Sequence, residues 1–183
     1  PVLKILKGMD LKPKSVMEIG CADGWRLAAM REFWPEAAFK GIDPSRQAAR
    51  AAQGVEIEEG TADDLPYREN SFDLVVFGFC LYLCDRQDLF RIAAEADRVL
   101  KDGGRMVIYD FQAPEPYRNK YVHHDGIYSY KMDYSRMFAW NPAYKTERAN
   151  VETHPGMDAS NRDNDIGVFV MRKDIKAGWP DKS

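Results

Sequence analysis

Two glycines early in the chain have the spacing of a ligand-binding turn. Gly20 and Gly24 follow a short apolar run and precede a helical pattern. Such a turn exposes bare backbone at the start of a helix, where free N–H groups and the helix dipole favour an anionic or polar ligand. A dinucleotide fingerprint needs glycines at the positions of Ala22 and Trp25, so a pyrophosphate fits this turn poorly.

A carboxylate about 20 residues after the turn is placed to bind a sugar. Asp43 ends a predicted second strand, whose carboxyl end faces the same crevice as the glycine turn. A carboxylate there accepts hydrogen bonds from two ribose hydroxyls. The alternative is that Asp43, followed by Pro44 and Ser45, caps a helix over residues 46–53. Spacing and strand position together favour ribose binding.

Candidates for acid–base chemistry lie later, in an aromatic segment. Histidine is the side chain best suited near neutral pH to remove a proton from a hydroxyl or ammonium group, which makes His123 and His124 candidates, and Tyr130 lies close by in the chain. Lys131 and Asp133 are further candidates for the same pocket.

No metal site is expected. Cys80 and Cys84 lack a second Cys/His pair at structural-zinc spacing, so packing is the expected role of both. His123, His124 and Asp125 suit magnesium poorly, because hard cations prefer oxygen ligands.

Strand and helix patterns alternate through the first 111 residues and would position these groups. The strongest strand pattern, Ser71 to Phe79, is typical of a central strand buried on both faces. The repeats predict a doubly wound α/β sheet. Strands are expected near 16–19, 38–42, 55–57, 71–79 and 105–111, with helices over 25–34, over 46–53, and from a cap at Asp85 to Gly103 and Gly104.

The ordered motifs resemble those of the class I S-adenosylmethionine (SAM)-dependent methyltransferases. Glu18, Gly20 and Gly24 match the acidic residue and the G-x-x-x-G of that family's first motif, with Ala22 where many members have another glycine. The segments GTADDLPYRENSFD and DRVLKDGGRMVIYDF also match, so the resemblance covers about residues 14 to 111. Relatives that methylate exocyclic amines often carry an Asn/Asp-Pro-Pro-aromatic tetrad, which this chain lacks.

The resemblance implies a Rossmann-like doubly wound fold, mostly parallel with a C-terminal antiparallel strand, in one domain over residues 1–183. It implies S-adenosyl-L-methionine as cofactor and S-adenosyl-L-homocysteine (SAH) as product. Asp43 would bind the ribose and Asp63 the adenine amine, although Thr61 stands where many relatives have the aspartate. The expected cofactor-binding residues are Glu18, Gly20, Cys21, Ala22, Asp23, Gly24, Asp43, Pro44, Ser45, Thr61, Ala62, Asp63 and Phe79.

Residues 112–142 depart from the repeating pattern and are rich in proline and aromatic residues. Long connections at the strand ends of α/β enzymes are usually functional, so this insertion is the expected lid over the acceptor site, with a short helix at 133–139. The alternative is that its aromatic side chains only pack against the core. Two last strands, 144–151 and 166–171, are expected to form an antiparallel pair closing the sheet.

Composition limits the classes of partner. The chain has 183 residues, 45% of them hydrophobic, a net charge of -3 and three cysteines. The charge argues against a nucleic-acid partner, and the absence of a long apolar stretch argues against a membrane partner. Cysteine usage and the lack of a signal-like region favour a cytoplasmic protein. The oligomeric state stays open.

The predicted activity is methyl transfer from SAM to a small-molecule acceptor, slightly favouring a hydroxyl oxygen. The sulfonium is an activated electrophile, so such a reaction needs only a bound cofactor and an aligned acceptor. Alternatives are a non-catalytic SAM-binding module, a methyltransferase acting on protein or RNA, and an NAD-dependent oxidoreductase, which Ala22 and Trp25 disfavour.

Overall fold

The computed structural model describes residues 1–47, 55–121 and 126–182. Its centre is a seven-stranded sheet in the order β3-β2-β1-β4-β5-β9-β8, and β6 and β7 form a separate hairpin. The strands are β1 (Ser15–Ile19), β2 (Ala38–Asp43), β3 (Glu56–Glu59), β4 (Phe72–Gly78), β5 (Leu100–Phe111), β6 (Tyr117–Lys120), β7 (Tyr128–Lys131), β8 (Tyr144–Thr153) and β9 (Asp165–Lys173).

The first five strands run parallel, and β9 runs antiparallel to its neighbours β5 and β8. This confirms the doubly wound, mostly parallel sheet with a C-terminal antiparallel strand. The central position of β4 follows from its sequence, since Leu74, Val75, Val76 and Phe77 are all buried. The strand order reverses direction between β1 and β4, and in open α/β sheets ligands bind at such a point.

Helices cover the sheet in the described parts of the chain: α1 (Val2–Lys7), α2 (Trp25–Arg31), α3 (Leu89–Val99), α4 (Arg136–Ala139) and α5 (Ile175–Gly178). Side chains of α1 and α2 pack on one face of the sheet, and side chains of α3 and α4 pack on the other. None of the helices described is long and apolar enough to span a membrane. The expected helix over 46–53 lies mostly outside the described residues.

Three expected helix boundaries are wrong. The helix that follows the glycine turn ends at Arg31 rather than Trp34, in agreement with the bias of residues before proline against helical geometry. The helix predicted to start at Asp85 begins at Leu89, because Asp85 belongs to a separate turn in which its Oδ1 accepts a hydrogen bond from Gln87 N (2.9 Å). That helix ends at Val99, and β5 already includes the two glycines that were expected to end the helix.

The insertion, residues 112–142, contains more regular structure than its sequence indicates. It forms the β6–β7 hairpin, and its helix is shorter than expected because Asp133 begins a turn in which its Oδ1 accepts a hydrogen bond from Ser135 N (3.0 Å). Tyr134 and Phe138 are buried in the main core, so these two aromatic residues pack the insertion onto the sheet. The ring centroid of Tyr121, the residue directly after β6, lies 6.3 Å from that of Tyr82.

Candidate functional site

A cavity of about 470 Å³ opens at the carboxyl ends of β1, β2 and β4. Its volume lies within the range of small-molecule sites, about 300 to 1,000 Å³. The cavity lies at the strand-order reversal, where the topology places ligands in this fold class. Its lining includes eight residues predicted from the sequence to bind the cofactor: Gly20, Ala22, Asp43, Pro44, Thr61, Ala62, Asp63 and Phe79.

The glycine turn needs its unusual backbone. Gly20 has φ +70°, and a Cβ on it would lie 2.7 Å from the Sγ of Cys80, so a side chain would collide with the segment after β4. Ala22 also has a positive φ, 47°. The alanine therefore holds the left-handed conformation for which glycine is the usual residue, and it does so at a steric cost.

Asp43 ties the end of β2 to this turn. Its Oδ2 accepts a hydrogen bond from the main-chain N of Ala22 (2.9 Å), and its Oδ1 accepts one from Ser45 N (2.9 Å). Each carboxylate oxygen has a further lone pair, so Asp43 can still accept hydrogen bonds from a ligand in the cavity.

Four of the predicted residues shape the turn without lining the cavity. Cys21 is buried, and Asp23 Oδ1 accepts a hydrogen bond from Trp25 N (3.3 Å). A Cβ on Gly24 would lie 2.6 Å from Val55 Cγ2, so this glycine permits close packing against the segment that leads into β3. Ser45 donates its main-chain N–H to Asp43, as described above. The cavity reaches the glycine turn itself and not the start of α2.

Glu18, the acidic residue of the first motif, is buried beneath the turn. Its side chain is 0% exposed, and its Oε1 forms an ion pair with Nη1 of Arg26. Burial raises the pKa of Glu18, and the Arg26 guanidinium opposes the rise. Arg26 belongs to the helix predicted after the turn, α2. Its partner lies eight residues earlier and in a different element, β1, so no periodicity within a single helix or strand predicts the contact.

The opposite side of the cavity comes from the segment between β4 and α3, which the sequence analysis assigned to packing and to helix capping. Cys84 lines the cavity, and its Sγ donates a hydrogen bond to Cys80 O (3.5 Å). Four carboxylates, those of Asp43, Asp63, Asp85 and Asp88, line the cavity, and no lysine, arginine or histidine does so in the described part of the chain. The cavity therefore favours a ligand with positive charge.

Asp110, at the end of β5, is a buried carboxyl group that the sequence analysis did not single out. Its Oδ2 accepts a hydrogen bond from Leu81 N (2.8 Å), and its Oδ1 accepts one from Phe111 N (2.8 Å). Burial raises its pKa to about 7, and the main-chain hydrogen bonds oppose that rise. The group holds the segment after β4 against β5, and the available signal was a lone acid within the apolar pattern RMVIYDF.

Aromatic rings surround the end of β4 beside the cavity. Phe79 adopts a positive φ of 71°, and its ring lies 4.9 to 5.9 Å from four other rings. Lys131, from the insertion, places its Nζ 3.8 Å from the Phe111 ring centroid. We call the five rings the aromatic cluster; its members are Phe79, Tyr82, Tyr109, Phe111 and His154.

Two phenols and an imidazole of the aromatic cluster can carry protons. Burial raises the pKa values of Tyr82 and Tyr109, so both stay protonated phenols at neutral pH. His154 follows β8, and its Nδ1 lies 3.1 Å from Pro155 O. Tyr130 is in the hairpin, where its main-chain O accepts a hydrogen bond from Tyr134 OH (2.6 Å).

The predictions for His123 and His124 lie outside the described residues. Within residues 1–47, 55–121 and 126–182, no group of three or more His, Cys, Asp or Glu side chains is arranged to hold a metal ion.

Comparison with known proteins agrees with this geometry. Residues 17–108, half of the chain, match the sequence model of the family described as "Methyltransferase domain". The ubiquinone/menaquinone biosynthesis C-methyltransferase UbiE of Desulfotalea psychrophila is 33% identical over 116 residues, which cover 60% of this chain and 46% of that protein. The match thus spans about half the length of this curated relative.

Solved structures show the same fold at low sequence identity. A SAM-dependent methyltransferase from Methanosarcina mazei superposes with a TM-score of 0.72 at 16% identity, covering 93% of this chain and 97% of that one. The 1,6-didemethyltoxoflavin-N1-methyltransferase of Burkholderia thailandensis was solved with 1,6-didemethyltoxoflavin and SAH. It superposes with a TM-score of 0.70 at 17% identity, covering 94% of this chain and 75% of that one. With half of its length matched by the family's sequence model and the glycine turn at the switch point of its sheet, this chain belongs to the methyltransferase domain family.

Proposed function

We propose that the protein binds SAM in the 470 Å³ cavity and transfers the methyl group to a small-molecule acceptor. One observation carries the proposal: the glycine turn, Asp43 and Asp63 border a single cavity at the switch point of a sheet whose sequence belongs to a methyltransferase family. The carboxylates around the cavity support a ligand with a sulfonium and an ammonium group.

The positions of the carboxylates indicate how the cofactor would be oriented in the cavity. Asp43 ends β2 and Asp63 follows β3, so the ribose and adenine would lie on that side of the cavity. The sulfonium end would then lie at the other side, where Gly20, Gly78 and Phe79 meet. The methyl group would be directed towards the aromatic cluster.

The cofactor supplies an activated methyl group, and the residues of the chain hold the cofactor and the acceptor in place. Asp43 fixes the glycine turn through Ala22 and would hold the ribose hydroxyls. Asp110 fixes the turn after β4, which forms the opposite side of the cavity. Holding donor and acceptor in line lowers the barrier by removing translational and rotational freedom before the reaction. Closing the site under the insertion, residues 112–142, would exclude water.

A hydroxyl oxygen is the acceptor that we propose. The aromatic cluster offers flat apolar surfaces beside the sulfonium end, which suit a small ring-containing molecule. Lys131 beside Phe111 adds a positive charge that would favour a hydroxyl group losing its proton. The candidates to accept that proton are His154 and the predicted residues His123, His124 and Tyr130.

A carbon acceptor is the second candidate, and one observation favours it. The relative from Desulfotalea psychrophila is named a C-methyltransferase of ubiquinone and menaquinone biosynthesis. A ring carbon activated by a neighbouring hydroxyl would use the same flat surfaces, so product analysis has to separate the two outcomes.

Calorimetric titration with SAM and SAH tests the cofactor. We expect micromolar binding of both, weakened by about 10- to 100-fold in Asp43→Ala and kept in Asp64→Ala, which removes an exposed carboxylate from the loop after β3. Absence of binding to the folded wild-type protein would refute the proposal. Labelled SAM incubated with hydroxylated small molecules, and separately with protein and RNA extracts, then identifies the acceptor class. Binding without any transfer would instead favour a non-catalytic SAM-binding module.

A further inference from the structure

One ammonium group beside the aromatic cluster has no carboxylate partner. Nζ of Lys131 lies 3.8 Å from the ring centroid of Phe111 and 5.8 Å from that of Tyr117. It donates a long hydrogen bond to the main-chain O of Asp163 (3.5 Å). Among the residues described, no Asp or Glu carboxylate oxygen lies within 4 Å of this Nζ, whereas Lys101 forms such an ion pair.

Partial burial makes this positive charge unfavourable. Lys131 is only partly exposed, and burial lowers the pKa of its ammonium group, while the carboxylate of Asp163 opposes that change from a greater distance. The face of the Phe111 ring attracts the cation only weakly compared with an anion in contact. An anionic group that arrives with a ligand would therefore give Lys131 the partner that the described residues do not supply.

The cavity and the β6–β7 hairpin, which both adjoin the aromatic cluster, carry charges of opposite sign. Carboxylates line the cavity, with no basic side chain in the described part of the chain. The two strands of the hairpin contain Arg118, Lys120 and Lys131 and no Asp or Glu. A cationic ligand in the cavity and an anionic ligand beside the hairpin would each meet a complementary charge.

Aromatic rings connect Lys131 to the cavity. Phe79 lines the cavity, and its ring centroid lies 5.0 Å from that of Phe111, the ring that Lys131 contacts. The ring of His154 is stacked on the other rings of this group, 6.3 Å from Phe111 at an angle of 21°. All five side chains of the aromatic cluster are partly exposed, so a planar molecule lying on them would reach from the cavity towards Nζ of Lys131.

We propose that Lys131 binds an anionic oxygen of an aromatic acceptor, so that the protein selects ring-containing acceptors that carry an ionised hydroxyl or a carboxylate group. This inference rests on the proposed function, because the methyl group of SAM would be directed towards the same rings. It adds a negative charge to the description of the acceptor, and it makes Lys131 the residue that determines this specificity. The competing interpretation is that Lys131 only packs on Phe111.

Matched pairs of small aromatic probes test the charge selection by calorimetric titration of the wild-type protein, with and without SAH. In a mildly alkaline buffer, para-hydroxybenzoate carries a carboxylate and para-nitrophenol carries an ionised hydroxyl group. Their neutral counterparts are para-hydroxybenzamide and para-nitroanisole. We expect at least one anion to bind about tenfold more tightly than its neutral counterpart, the usual size of a hydrogen bond to a charged group. The preferred anion then shows which anionic group Lys131 binds.

Three variants assign the preference to Lys131. Lys131→Met removes the charge and keeps a side chain that packs on Phe111, so we expect it to bind the anion no more tightly than the neutral counterpart. Lys131→Arg keeps the positive charge and should keep the preference. Lys120→Met is the matched control, because it removes an exposed lysine of the same hairpin and should leave the preference unchanged.

The outcomes separate this inference from the proposed function. Equal affinities within both pairs, no binding of any probe, or a preference that survives in Lys131→Met would each overturn the inference. If the protein binds SAH and shows no preference for an anion, the proposed cofactor stands and the inference is wrong. If it does not bind SAH, the proposed function is wrong, and the titrations without SAH still decide whether Lys131 binds an anion.

Discussion

The carboxylate of Asp43 accepts a hydrogen bond at 2.9 Å from the main-chain N of Ala22, the residue of the glycine turn whose φ is 47°. The end of β2 thus fixes the turn after β1 at a residue with a left-handed backbone. A single side chain thereby links the predicted ribose site to the backbone that forms the neighbouring side of the cavity.

Two substitutions of Asp43 separate the effect of this hydrogen bond on SAH affinity from the effect of the negative charge. Asp43→Ala removes both acceptors, and we expect SAH affinity to fall by about 10- to 100-fold, as for the loss of hydrogen bonds to a charged group. Asp43→Asn keeps one oxygen that can accept from Ala22 N, so its loss should be smaller. Calorimetric titration of both variants checks the order. An asparagine variant as weak as the alanine variant would show that the negative charge, and not the anchoring, determines affinity.

Ala22→Gly should stabilise the protein. Its left-handed backbone costs an L-residue roughly 1 to 2 kcal/mol, whereas glycine adopts it freely but has more unfolded-state entropy to lose. We expect a net gain of roughly 0.5 to 1 kcal/mol in the free energy of unfolding, measured by urea denaturation.

The same substitution within α2 is the matched control. Ala28→Gly lies in the helix interior, so it should lose about 1 kcal/mol. If Ala22→Gly also destabilised the protein, the turn would depend on the methyl group of Ala22 for packing.

Asp110 should make stability fall with increasing pH. Its pKa is raised from 3.8 to about 7 on folding, so its contribution is fully present below about pH 4 and is lost as the pH rises through 7. Relative to Asp110→Asn, the wild type should lose roughly 2 to 4 kcal/mol over this interval. Denaturation curves of both proteins from pH 4 to above pH 7 measure the difference. A constant difference across that interval would contradict the raised pKa.

Lys173 should contribute to stability by binding the end of a helix. Its Nζ donates hydrogen bonds to Asp97 O (2.8 Å) and Leu100 O (3.1 Å) at the C-terminus of α3, and the residue is 5% exposed. Lys173→Met should cost about 1 to 3 kcal/mol, because it leaves these carbonyl groups without their donor. Thermal and urea denaturation measure the loss. Lys145→Met, at an exposed position of β8, should change stability by less than about 0.5 kcal/mol.

Local patterns predicted the strands of the main sheet and several cavity residues that follow them. Gly20 and Asp43 come directly after predicted strands and Asp63 lies a few residues after the third one, and parallel strands bring their carboxyl ends to one edge of a sheet. Their common cavity therefore followed from strand order alone. The turn preceding Leu89 and the hairpin in the insertion were not predicted, because tertiary contacts decide where such short elements begin.

The sequence by itself determined that this chain has a parallel α/β sheet with a glycine turn and two carboxylates at its switch point, since each of these features lies within a few residues of a strand. Only the tertiary structure decided which side chains meet across the fold. Asp110 reaches Leu81, Arg26 reaches Glu18 beneath the turn, and His154 reaches Phe79 from beyond β8. The physical reason is that burial and partner choice depend on the packing of separate elements, which spacing along the chain does not record.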